Sequence, residues 1–121
     1  MTSKSFLTDI MTPEGNVAAD RLAAKLHVTK TELASAVGLS RDAVSKSARL
    51  KARATQTRMR EVAEIINRVR SWAGSDAQAF AWYRSQPLPS FGDLTAEDLV
   101  KAGRAEDVRA FLSRIAVGGY A

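Results

Sequence analysis

The stretch from Thr29 to Arg49, TKTELASAVGLSRDAVSKSAR, decides the fold of this chain. Its first threonine is followed three positions later by Glu32, a capping box that predicts the start of a helix. Gly38 predicts the end of that helix, because glycine adopts the left-handed C-cap conformation at little steric cost. Ser40 is then expected to cap a second helix, with Val44 facing inward. Two short helices joined by a tight turn are typical of a helix-turn-helix.

The second of these helices predicts a DNA-binding surface. Its spacing leaves on the outer face a set of side chains that can bond to base edges and phosphates, namely Ser40, Arg41, Asp42, Ser45, Lys46 and Arg49. Arg53 and Arg58, further along, are expected to contact phosphates. Ser47 stands where such motifs usually carry a bulky apolar residue, and Leu50 is expected to substitute for it. A plain pair of packed helices remains the alternative.

The charge distribution supports this interpretation. The net charge is +5, but residues 1–60 carry eleven basic and five acidic residues, whereas residues 61–121 carry seven and eight. The excess peaks between Arg41 and Arg60, with seven positive residues and one negative. A charge run alone often marks only a solvated face, so it favours nucleic acid without establishing it.

The rest of the pattern predicts an all-α chain in three parts. Residues 1–16 are expected to be a flexible arm, residues 17–56 the helix-turn-helix region, and residues 57–121 a second helical domain. Hydrophobic residues make up 45% of the chain, which suits one domain, or two small ones that share a core.

The C-terminal part begins with a strongly amphipathic segment. From Met59 to Trp72, apolar residues recur at three- and four-residue spacing, which predicts a long helix starting after Thr57. A proline-containing loop follows at 85–94, and Thr95 is expected to cap the next helix. Five large side chains are predicted to be largely buried: Trp72, Phe80, Trp82, Phe111 and Ile115.

Catalysis and metal binding are not expected. The chain has no cysteine, and His27 is its single histidine, so thiolate chemistry and cysteine-ligated zinc are excluded. Glu61 and Glu64 lie among arginines, as ordinary surface pairs do. The sequence shows neither a nucleophile with a partnering base nor a glycine-rich phosphate loop. We expect a non-enzyme without cofactor, signal peptide or membrane span, located in the cytoplasm.

From Val17 to Ala121 the order of features resembles the Xre/MbcA/ParS-type antitoxins, which join an Xre-like helix-turn-helix to a C-terminal toxin-binding domain. The most specific part of the resemblance is WYRSQPLPSFGDLTAEDLVKAGRAEDVRAFLSRIAVGGYA, which begins at Trp82. It has the tryptophan, the proline-containing loop, the Gly-Arg step and the ending in Gly-x-Tyr-Ala. Two positions depart from the pattern: the family often has glycine where Asp93 stands and proline where Ala96 stands.

The resemblance implies a type II antitoxin that neutralises a RES-domain toxin, a class that degrades NAD or transfers ADP-ribose. It implies that the antitoxin occludes the toxin's active site, represses the shared operon by binding operator DNA, and forms a homodimer. The residues expected to contact the toxin are Lys101, Arg104, Val117, Gly118, Gly119, Tyr120 and Ala121. In this interpretation the two glycines let the tail leave the helix axis, and Tyr120 supplies a rigid aromatic anchor.

Other functions fit the same residues. The chain can be a stand-alone helix-turn-helix repressor whose C-terminal half only dimerises or senses a ligand. It can also be a protein-interaction module that has lost DNA binding, which Ser47 would permit. For the tail, the alternative is that Tyr120 folds back on Trp82 or Phe111 as a lid on the protein's own core.

Overall fold

The protein is all-α in the computed structural model, which describes the backbone of residues 3–118 and the side chains of residues 6–116. No β-strand occurs in this described part, and its extended backbone forms only isolated bridges. The helices are α1 Ser3–Ile10, α2 Ala19–Leu26, α3 Lys30–Val37, α4 Arg41–Ser45, α5 Ser47–Leu50, α6 Arg53–Ala73, α7 Asp76–Ser85, α8 Ala96–Lys101 and α9 Ala105–Gly118, with a 3-10 turn at Pro89–Phe91.

The N-terminal segment is not the flexible arm that the sequence suggested. Ser3–Ile10 is a helix that packs against α6, and Phe6 and Ile10 are buried in the core. The Arg70 guanidinium of α6 lies 5.2 Å from the centre of the Phe6 ring. Phe6 and Ile10 are four residues apart and therefore share one helical face, a periodicity that the intervening polar residues obscure.

The helix caps predicted on either side of the turn at Gly38 are observed. Thr29 forms the complete capping box with Glu32 at the start of α3. Gly38 ends α3 in the left-handed conformation, with φ of 72°. The Ser40 hydroxyl accepts a hydrogen bond from the backbone amide of Ala43, and Val44 is buried. These caps place α4 directly after the turn.

The second helix of the motif differs from the prediction because it is broken. α4 ends after five residues, and Lys46 adopts an extended conformation, with φ of −92° and ψ of 122°. The chain then forms the four-residue α5, in which no residue is buried. Ser47 is exposed, and Leu50 is half-buried against the core. Leu50 thus supplies the apolar contact that position 47 lacks.

The long helix α6 is the centre of the molecule. It starts at Arg53, five residues before the predicted start after Thr57, and ends at Ala73 with Gly74 as its C-cap. The helices α1, α3, α5, α7, α8 and α9 all pack against it. One hydrophobic cluster extends from Phe6 to Leu112, so the core is continuous across the expected boundary between residues 56 and 57. The region before residue 57 and the region after it therefore share one core.

Burial of the large side chains follows the prediction only in part. Phe80 is buried, but Trp82, Phe111 and Ile115 are half-buried, and Trp72 is 36% exposed. The fully buried aromatic residue of α7 is instead Tyr83. Because successive helical residues are about 100° apart, only one of the neighbours Trp82 and Tyr83 can face the centre of the core.

A test of the turn follows from the surroundings of Gly38. A β-carbon there would lie 2.9 Å from Cγ of Lys101, whereas Gly103, with φ of 79°, has nothing within 4 Å. Both alanine substitutions are expected to lose about 1–2 kcal/mol to the left-handed backbone conformation. Gly38→Ala should lose roughly a further 1–3 kcal/mol to overpacking. Urea unfolding measures both, and equal losses would contradict the close packing of the turn.

Candidate nucleic-acid and protein interfaces

The first candidate site is the exposed surface of α4 and the residues after it. Nearly all the predicted DNA contacts are exposed there: Ser40, Arg41, Asp42, Ser45, Lys46, Arg49 and Arg53. The break at Lys46 places Arg49 beyond α4, so these side chains do not share the face of one helix. A carboxylate oxygen of Asp42 lies 3.6 Å from the Arg49 guanidinium, both side chains being more than half exposed. That pair bridges the break.

Lys51 is a further cation of this surface that the sequence-based prediction omitted. It is exposed between Arg49 and Arg53, and no acidic residue occurs from position 43 to position 60. The closely spaced basic residues of this stretch could have identified Lys51 from the sequence. The helical periodicity used for α4 could not, because it does not extend past the break. The result is a segment whose cations recur every two or three residues.

Arg58 has a different role from the predicted phosphate contact. Its Nη1 donates a hydrogen bond of 2.9 Å to the backbone carbonyl of Val37, and its Nε lies 3.5 Å from Glu61. Its side chain is 22% exposed. It lines a depression of about 460 Å³ together with Arg53, Thr57 and Gly103. Arg58 therefore satisfies the C-terminal end of α3 and is held back from the outer surface.

Tyr83 makes the second contact to the same helix end. Its hydroxyl donates a hydrogen bond of 2.7 Å to the carbonyl of Ala36, and both residues are completely buried. Burial raises the pKa of Tyr83 well above its ordinary value, and the nearby Glu97 carboxylate adds to the effect. The phenol therefore stays a proton donor throughout the range in which proteins are usually studied. Its hydrogen bond offsets the cost of burying an unpaired helix-end carbonyl.

The two described cations predicted to contact the toxin are both paired within the chain. Lys101 Nζ lies 2.6 Å from Glu97, which also receives two hydrogen bonds from Arg84, of 2.6 and 3.1 Å. Arg104 pairs with Asp107 at 2.7 Å and lies over the ring of Phe91. Both remain exposed enough to meet a partner at the rim of an interface.

Glu97 is the buried centre of this group of charges. Burial by itself would raise the pKa of the Glu97 carboxyl, but hydrogen bonds from Arg84 and Lys101 hold it below its ordinary value. The paired Arg84 keeps its charge, because the Glu97 carboxylate raises the pKa of its guanidinium. This ion cluster joins α7 to the C-terminal end of α8, next to the turn at Gly38.

The C-terminal half carries an aromatic surface, three of whose rings, those of Trp72, Trp82 and Phe111, were predicted to be buried. Four rings, of Trp72, Trp82, Phe91 and Phe111, form this aromatic surface. Their centres are 5.7 Å apart for the two tryptophans, 6.5 Å for Trp82 and Phe111, and 6.4 Å for Phe111 and Phe91. Trp72 is 36% exposed, and the other three are half-buried. Such rings suit a protein interface, where aromatic residues are enriched.

The remaining part of the predicted toxin contact, Val117 to Ala121, lies outside the side chains that the structure describes. The backbone of α9 is described as far as Gly118.

No metal-binding cluster accompanies these surfaces in the described residues. Among them, no group of His, Asp and Glu side chains could hold a metal ion. His27 is exposed and ends α2 in a left-handed conformation, with φ of 60°. No helix of the described part is long and apolar enough to cross a membrane.

Compared with protein-family models, curated proteins and solved structures, the chain has no significant match.

The Glu97 cluster generates a prediction about stability and pH. Glu97→Gln removes the charge that receives three buried or half-buried contacts, so it should cost about 1.5–3 kcal/mol at neutral pH. The lowered pKa means that the stabilisation is complete above the ordinary value of 4.5 and is lost as the pH falls through the folded-state value. The variant should therefore unfold with a weaker dependence on acid than wild type.

The matched control is Glu106→Gln, because Glu106 also pairs with an arginine, Arg109, but its side chain is 83% exposed. Exposed ion pairs contribute little, so this variant should stay within about 0.5 kcal/mol of wild type. Chemical unfolding between pH 3 and pH 7 compares the two. Equal pH profiles for Glu97→Gln and wild type would contradict a structural role for the ionised Glu97.

Proposed function

We propose that this chain is a type II antitoxin of the cytoplasm that binds operator DNA through α4 and the basic segment after it, and binds a RES-domain toxin through its C-terminal helices and tail. The observation that carries the DNA-binding half is the exposed α4 surface, presented by a capped helix and a glycine turn next to a dense basic run. Positive charge there would attract phosphates irrespective of sequence, and α4 would add base contacts.

The toxin class in this proposal rests on the family resemblance of residues 82–121. The backbone geometry supports that resemblance even at the two positions, Asp93 and Ala96, where the sequence departs from the family pattern. Asp93 adopts a left-handed conformation, with φ of 66°, which favours the glycine that the family often has there. Ala96 is the first residue of α8, a position that favours the family's proline. Gly103, in the Gly-Arg step, also has a positive φ. Each family residue therefore has a local physical reason in this chain.

The aromatic surface supports a protein partner for the C-terminal half. Half-buried rings of Trp82, Phe91 and Phe111 next to an exposed Trp72 offer rigid apolar area that is ordered before binding. Lys101 and Arg104 would then contribute charge at the rim. A second copy of the chain, in the expected homodimer, and the toxin are both candidates for this area.

The alternative function is a stand-alone repressor that uses the aromatic surface only to dimerise. The same rings favour it, because apolar area on the C-terminal half is what a dimerisation domain requires. The alternatives differ in the tail: a repressor has no use for Gly118 to Ala121, whereas a toxin blocker needs reach and an anchor.

DNA binding is tested with the duplex immediately upstream of the reading frame. Phosphate contacts should make the complex weaken steeply with salt, and Arg41→Ala should lose about 1–3 kcal/mol for each lost base contact. Arg60→Ala is a control from the same basic run, because its guanidinium is bonded to the carbonyl of Gly15. A gel shift without any salt-sensitive complex would argue against the DNA-binding half of the proposal.

Toxin neutralisation is tested by deleting residues 118–121 and expressing the truncated chain with the RES-type toxin encoded beside it. We expect the complex to survive, because the helices supply most of the contact area, while toxin activity returns in a growth or NAD-depletion assay. Tyr120→Ala should act in the same direction, since it removes the aromatic anchor but keeps the chain length. Full neutralisation by the truncated chain would make the tail dispensable.

A further inference from the structure

The break at Lys46 has no cause in the residue types that usually interrupt helices. Lys46 is at once the C-cap of α4 and the N-cap of α5, so a single extended residue separates the two. Between Gly38 and Gly74 the chain contains neither glycine nor proline. The interruption must therefore arise from packing and hydrogen bonding rather than from local backbone preference.

The position of the apolar anchor supplies that cause. In a continuous helix, Ser47 would follow Val44 by three residues and share its buried face, but its hydroxyl has no apolar surface to contribute. Leu50 follows Val44 by six residues, which would place it about 120° away around such a helix. With the break, Val44 is buried and Leu50 packs against the same core. Leu50 lies three residues after position 47, where the apolar residue is usually found, and the break allows its side chain to reach the core.

Gln56 holds the broken arrangement in place. It is 3% exposed, and its Nε2 donates hydrogen bonds to the carbonyls of Leu50, at 2.9 Å, and Val17, at 3.2 Å. Its Oε1 accepts a hydrogen bond of 2.7 Å from the amide of Val17. One buried carboxamide therefore ties the end of α5 to the segment before α2. Lengthening α4 through Lys46 would turn Leu50 away from the core and would break the bond to its carbonyl.

We propose that Leu50 and Gln56 are specificity-determining residues, because the break that they maintain divides the DNA-binding surface into two parts with different roles. Base edges are contacted from α4 alone, by Arg41 and its neighbours, whereas the cations from Lys46 to Arg53 contact phosphates. This inference rests on the proposed DNA binding and deepens it.

The dimensions of the two parts support the division. At about 1.5 Å per residue, the five residues of α4 extend over roughly 7 Å, about two base-pair steps of 3.4 Å. Four cations are exposed along this segment: Lys46, Arg49, Lys51 and Arg53. Its backbone is extended at Lys46 and again at Ala52, with the short α5 between them. Base readout needs a rigid element in the groove, while phosphate contacts tolerate such a path.

The test compares two duplexes, the DNA upstream of the reading frame and a shuffled duplex of the same length, in salt titrations of the full chain. Arg41→Ala should weaken binding to the upstream duplex about 5- to 150-fold more than to the shuffled one. Arg49→Ala and Lys51→Ala should weaken both duplexes by the same factor and lower the salt slope by about 0.9 each. All three side chains are exposed, so the variants should fold.

The double substitution Ser47→Leu and Leu50→Ser tests whether the position of the apolar anchor causes the break, because it moves that anchor back to position 47. Backbone chemical shifts should show residues 45–48 becoming helical, and Arg49→Ala in that background should then discriminate between the duplexes. An unchanged break in the double variant would overturn the anchor argument.

Two further outcomes overturn the proposal, and they are distinguishable from each other. If Arg49→Ala in the wild-type background changes the ratio of the two affinities as Arg41→Ala does, the division of roles is wrong although the protein binds DNA. If residues 45–48 of the wild-type protein become helical on binding the upstream duplex, as seen in the same chemical shifts, the division of roles is also wrong. If neither duplex forms a salt-sensitive complex, the proposed DNA binding itself fails.

Discussion

The arrangement of this protein depends on how the C-terminal end of α3 is satisfied. A helix end leaves carbonyl groups without intrahelical partners, and here that end is buried. The Tyr83 hydroxyl bonds to Ala36 at 2.7 Å, and the Arg58 guanidinium bonds to Val37 at 2.9 Å. Both donors come from helices further along the chain, so the pair formed by α3 and α4 receives its closing contacts from α6 and α7. A fragment cut off before these helices would lose both contacts.

The same dependence places the two candidate interfaces on helices that share one core. Lys101, at the end of α8, packs against the turn at Gly38 and pairs with the buried Glu97. Glu97 is in turn bonded to Arg84, one residue after Tyr83. The turn before α4 therefore rests on charges that belong to the C-terminal half. The two halves have different electrostatic characters, basic and nearly neutral, but they are not separate in packing.

Much of the fold could be predicted because it is encoded over three or four residues. The capping boxes at Thr29 and Thr95, the cap at Ser40 and the glycine stop at Gly38 are all observed where their spacing predicted them. Each depends on backbone groups within one turn of helix, so neighbouring sequence contains the whole interaction. The N-terminal helix was missed because the burial of Phe6 and Ile10 depends largely on α6, which lies far away in sequence.

For the candidate sites, the sequence by itself determined the all-helical class, the position of the turn and the location of the basic run. Only the tertiary structure decided which of those side chains are available. It assigned Arg58 to the carbonyl of Val37, broke the second helix so that Leu50 could reach the core, and left Trp72 exposed where periodicity predicted burial. Periodicity identifies the apolar face of one helix, but the neighbours that cover that face, and the carbonyls that need a donor, come from distant parts of the chain.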